Sequence, residues 1–181
     1  VLNNARIQAA LIVITDGATV SGDGTLYGST TNVGTGATTG YLSPGSSIGT
    51  LNVGGDLVLG SNAIYMADFN ANGVDSDVIA AAGDLTLGGT LDASGYVFPN
   101  VYTIFTFTGT ASGAFGAVTG LSADLTKWTV AIDNINGLVT FQAVPEPTVA
   151  VILALGAVPL PAAATAVTDG ASHGSSPELA T

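Results

Sequence analysis

Two short segments, GDLVLG (55–60) and GDLTLG (83–88), set the pattern for most of the chain: Leu and Val alternate with Thr, Asn or Asp, and glycine closes each run. A period of two sends the aliphatic side chains to one face of a strand and the small polar ones to the other. This alternation predicts strands near 5–14, 17–20, 25–33, 48–53, 56–59, 63–69, 77–81, 84–87, 90–94, 101–107, 114–118, 127–132 and 138–143. Turn residues lie between them, as in SGDG (21–24), SPGS (43–46), NANG (70–73) and NING (134–137). Glycine supplies the positive φ such corners need, and Asp or Asn can bond nearby backbone. No window before residue 144 carries a helical stripe of useful length.

The runs are short, the corners frequent, and segments recur. GTL stands at 24–26, 49–51 and 89–91, and the two GDL segments begin at 55 and 83. Repeats with a period of roughly 20–50 residues mark solenoids and arrays, in which each unit buries its apolar face against the next. The expected fold is therefore all-β: a parallel β-helix (β-solenoid) over 1–95 with a hairpin-like C-terminal cap in 96–143. The cap strands, YVFPNVYTIFTF and KWTVAI, are longer and more aromatic. A sandwich or barrel is the rival architecture.

After Ala143 the composition changes. Val144-Pro145-Glu146-Pro147 cannot sit in a central strand, because proline lacks the ladder donor. Thr148–Val158 is apolar and predicts a short helix, with Pro147 suited to its first turn and Pro159 ending it. The polar remainder is expected to be disordered. The chain thus divides into a solenoid domain, 1–143, and a C-terminal segment, 144–181.

Charge narrows the function. Arg6 and Lys127 are the only Lys or Arg residues, and the formal net charge is −11. Nucleic acid needs several cations to displace its counterions, so it is excluded as a partner. Stable attachment to an anionic membrane surface is disfavoured for the same reason. With no Cys there is no disulfide framework, thiol nucleophile or thiolate zinc site. The one His, His173, lies in the C-terminal tail, so no Ser-His-Asp arrangement can be assembled in the domain. Paired carboxylates, as at Asp75 and Asp77, suit glycoside hydrolysis, but Asp beside Gly and Asn is more often turn chemistry.

One segment has the form of a metal loop. In DFNANGVDSD (68–77), Asp68, Asn70, Asn72 and Gly73 match the D-x-N-x-N-G start of a calcium loop, and Asp75 offers a further oxygen. The twelfth position, which should carry a bidentate Glu, is Ile79. An Asx-rich corner between strands is the preferred reading of this segment, with calcium as the alternative; otherwise no cofactor is expected. Tyr27, Tyr41, Tyr65, Tyr96, Tyr102 and Trp128 offer either a sugar-stacking platform or aromatic packing in the core and at the solenoid end, and packing is the reading preferred.

Two resemblances bear on function. SGDGTLYGSTTNVGTGATTGYLSPGSSIGTLNVGGDLVLG (21–60), followed by GDLTLGGTLD (83–92), resembles autotransporter-associated β-strand repeats, and VYTIFTFTGTASGAFGAV (101–118) resembles the usual end of such passengers. Val144-Pro145-Glu146-Pro147 with the apolar run after it resembles a PEP-CTERM sorting signal of Gram-negative bacteria. That resemblance implies an exosortase-type partner, transient membrane association through the apolar segment, and delivery to the outer surface or extracellular matrix. The copy here is degenerate. Its uninterrupted apolar run, Val149–Val158, is far short of the ~20 residues that span a bilayer, and the closing Arg/Lys cluster is missing.

The resulting expectation is a non-catalytic, secreted or cell-surface structural or adhesin-like protein, with extracellular matrix or polysaccharide as possible contacts. The rivals are a carbohydrate- or calcium-binding surface module and a β-helix polysaccharide-active enzyme.

Overall fold

A computed structural model describes residues 1–71 and 75–145. They hold seventeen strands and no helix. In order these are β1 (Arg6–Gln8), β2 (Leu11–Ile14), β3 (Thr19–Ser21), β4 (Thr25–Tyr27), β5 (Thr30–Val33), β6 (Gly40–Ser43), β7 (Thr50–Val53), β8 (Asp56–Leu59), β9 (Ala63–Met66), β10 (Val78–Ala81), β11 (Leu85–Leu87), β12 (Thr90–Asp92), β13 (Tyr102–Phe107), β14 (Ala111–Gly113), β15 (Ala117–Thr119), β16 (Lys127–Asp133) and β17 (Leu138–Val144).

The first fifteen fall into five coils of three, and every third strand pairs in parallel with its predecessor. One sheet runs β1-β4-β7-β10-β13, a second β2-β5-β8-β11-β14, a third β3-β6-β9-β12-β15. This is the expected β-solenoid, with about four turns from β1 to β13. Stacked coils are spaced by the ordinary strand separation of about 4.8 Å.

Alternation within strands becomes stacking between coils. Leu26, Val53, Ala81 and Phe107 lie in one interior column, and Val20, Leu42, Tyr65, Leu91 and Val118 in another. A third column runs Ile12, Thr31, Leu57, Leu85, Ala111. These columns form one continuous buried core. Thr31 breaks the third: it is fully buried, and its hydroxyl has no hydrogen-bond partner.

The corners explain the repeats. Asp56 Oδ1 accepts the N–H of Asp84 at 2.9 Å, and Asp84 Oδ1 accepts the N–H of Thr110 at 2.7 Å. A Cβ at Gly83 would overlap the Asp56 carboxylate, and one at Gly109 the Asp84 carboxylate. The Gly83-Asp84 pair therefore does two jobs. Its Asp ties down the next coil, and its Gly makes room for the Asp of the coil before. Asp23 does the same at another corner, accepting the N–H of Thr50 at 3.1 Å beside Gly49, where a Cβ would overlap it. The recurrence of GDL at 55 and 83, and the GTL at 49–51, records this coil-to-coil bond.

The C-terminal end is a hairpin, as expected. β17 lies antiparallel on β13, and β16 antiparallel on β17. Phe69, Tyr96, Tyr102 and Phe141 pack edge to face and tilted beneath it, with ring centroids 4.9–5.9 Å apart. Tyr96 donates to the carbonyls of Asn100 and Ala143.

Some boundaries differ from the alternation. The run 5–14 is two strands turning at Ala9-Ala10, and 25–33 is two strands turning at Gly28-Ser29. Neither β6 nor β14 stands out from its Gly- and Thr-rich surroundings. β17 runs to Val144, one residue past the expected boundary. The expected apolar helix and tail lie outside the described residues.

Candidate functional site

Between β9 and β10, residues 68–71 and 75–77 run antiparallel to each other. Phe69 and Ser76 form an antiparallel bridge. Asp77 N–H donates to Asp68 O at 2.8 Å and Asn70 N–H to Asp75 O at 2.9 Å. Tyr102 Oη donates to Asn70 O at 3.0 Å. The carbonyls of Asp68, Asn70 and Asp75 thus each accept a hydrogen bond from a backbone or tyrosine donor. Asn72, the fourth metal-candidate residue, lies outside the described residues, as does Gly73. Among the described residues no group of three or more His, Asp or Glu is placed to hold a metal ion. Main-chain bonds brace the described part of this corner.

The residue at the centre of this corner is Asp77, which is 1% exposed. Its Oδ1 accepts the N–H of Gly49 at 2.8 Å and its Oδ2 the N–H of Asp68 at 3.1 Å. Gly49 thus lies between two carboxylates, Asp77 of its own corner's next coil and Asp23 of the coil before. Burial pushes the Asp77 carboxyl up to about 7, against the pull of the Asp68 and Gly49 N–H groups, with a smaller push from the Asp68 and Asp23 charges. Tyr65, also buried, donates to the carbonyls of Asp77 at 2.8 Å and Ile104 at 3.2 Å. Its phenol is held well above its ordinary range, by burial first and then by the Asp77 and Asp68 charges. In the sequence Asp77 is marked only as the partner of Asp75 in a candidate carboxylate pair. Its partners come from three segments, and only the offset between Gly49 and Asp77, close to the repeat length, could have signalled the pairing.

The aromatic residues divide by position. Tyr65 and Tyr102 are in the core, Tyr96 is in the end cluster, and Trp128 packs partly against the core. Tyr27 stands out: it is 49% exposed on the outer face of the first sheet. Of the sorting motif, Val144 ends β17, paired with Lys127, and Pro145 follows it. Glu146 and Pro147 lie outside the described residues. No helix among the described residues is long and apolar enough to cross a membrane. No protein-family model matches the chain, and no curated protein matches it either.

Proposed function

We propose that the protein is a non-catalytic structural element of the cell exterior, a stiff β-solenoid spacer that is exported and carries a degenerate PEP-CTERM-type label at Val144, Pro145, Glu146 and Pro147. The observation that supports this reading is the construction of the stack. The apolar columns run unbroken through the coils apart from Thr31, and carboxylate-to-backbone bonds tie coil to coil at the corners. Nearly every described carboxylate with a resolved partner bonds main-chain N–H groups or a neighbouring Ser, Thr or Asn. Such carboxylates serve shape. A repeating stack that contacts only its neighbours makes a rod from small residues.

The test expresses the chain behind an export leader in a Gram-negative host that bears an exosortase. Recovery at the outer surface or in the medium, as a body resistant to proteinase K, is the expected result. A protease-sensitive product confined to the cytoplasm or periplasm overturns the reading. A reporter fused to residues 144–181 separately checks the label: sorting as efficient as that of an intact signal would show that the label is not degenerate.

A further inference from the structure

The outer face of the first sheet carries a shallow trough that the spacer role does not use. Tyr27 forms one wall, and small residues, Gly54, Ala80 and Ala82, line the floor, with Asn52 and Thr106 beside them. Thr25, Asn52, Ala80 and Thr106 are in register across four coils. The trough therefore spans three coil spacings, about 14 Å. It encloses about 440 Å³, within the ~300–1,000 Å³ usual for ligand pockets.

Three features specify an occupant. First, the Tyr27 ring is braced before any ligand arrives. The Arg6 guanidinium sits 4.4 Å from its centroid, and Arg6 is itself bonded to the Gln8 side chain. Arg6 belongs to the first coil, whereas the trough is built by the later ones, so the brace lies on the side of the ring away from it. Second, the floor beside the ring is kept open by Gly54. A Cβ there would rest 3.4 Å from Cγ and Cδ1 of Tyr27, an ordinary contact, so the fold itself does not demand glycine. Third, every lining residue is uncharged, and the chain's net charge of −11 repels polyanions.

A braced aromatic ring beside an open floor, flanked by neutral amide and hydroxyl groups, fits a ligand with an apolar ring face and a polar rim. We propose that this trough binds a neutral polysaccharide chain, with one sugar ring stacked on Tyr27 and its hydroxyls bonded to Asn52 and Thr106. The exterior spacer would then also hold a glycan.

Isothermal titration with soluble hexasaccharides of β-1,4-linked glucose, α-1,4-linked glucose and β-1,4-linked mannose tests this, with an oligogalacturonate as the anionic comparison. Saturable binding of at least one neutral hexasaccharide is expected. Tyr27→Ala should weaken it about tenfold or more, as loss of a central aromatic contact does, while Tyr27→Phe retains it. Gly54→Leu fills the trough with the ring in place and should weaken binding comparably without lowering the melting temperature. The proposal is overturned if no neutral hexasaccharide binds, if the oligogalacturonate is preferred, or if neither Tyr27→Ala nor Gly54→Leu changes the affinity.

Discussion

The carboxylate of Asp56 accepts the main-chain N–H of Asp84, its counterpart one coil later, at 2.9 Å. Asp84 repeats the bond to Thr110, and that bonding, by backbone first and hydroxyl second, holds its carboxyl below the ordinary range. Gly83 is the residue that makes this fit possible. Gly83→Ala should destabilise the protein by about 1–3 kcal/mol, the usual cost of forcing atoms into a packed site. Gly36 has no neighbour in reach of an added Cβ and no positive φ, so Gly36→Ala should be neutral or slightly stabilising. Urea denaturation of the two variants gives the comparison.

Thr31 is an exception in its own column. Its hydroxyl is buried between Ile12 and Leu57 without a partner. Burying an unbonded hydroxyl costs about 1–3 kcal/mol, and valine keeps nearly the same shape. Thr31→Val should raise stability by about 1 kcal/mol, read as a higher denaturation midpoint at unchanged slope.

Asp77 should give the stability a pH dependence opposite to that of an ordinary paired carboxylate. Its folded-state value, about 7, is above the ordinary 3.8, so the folded protein holds a proton that the unfolded chain has released. The contribution is complete below about pH 4 and is lost as pH rises through about 7. Its size is at most roughly 4 kcal/mol, from the conversion of ~1.4 kcal/mol per pKa unit. Asp77→Asn, which is neutral throughout, should flatten the melting temperature between pH 4 and 7.

Calcium should leave the protein unchanged. Among the described residues no three acidic or His side chains converge to hold a metal ion, and both oxygens of the Asp77 carboxylate already accept main-chain N–H groups. Melting temperatures in millimolar calcium and in chelator should therefore coincide, since a ligand raises stability only by binding the folded state.

Much of this was legible in the sequence because the pattern is local. The alternation in GDLVLG and GDLTLG places Leu57, Leu59, Leu85 and Leu87 inside, where they are buried. Gly28-Ser29 did carry a turn signal, set between β-prone runs on both sides, whereas the corner at Ala9-Ala10 was not legible, because apolar residues continue across the bend. Nor was the role of Asp77, whose burial depends on Gly49 and Tyr65 arriving from an adjacent coil. Tyr27 is the same residue type as Tyr65 in similar Gly-rich surroundings, and only the phase of its strand turns it outward.

Leu57 and Leu85 occupy the same place in successive coils, each preceded by the same Gly-Asp pair. Cutting out residues 57–84 would join Asp56 to Leu85 and leave each remaining strand over a neighbour of the same kind. Length is thus a heritable variable in this fold: a recombination event between the two GDL segments would shorten the molecule, or extend it, by one whole layer while keeping strands β1–β7 and β11–β17.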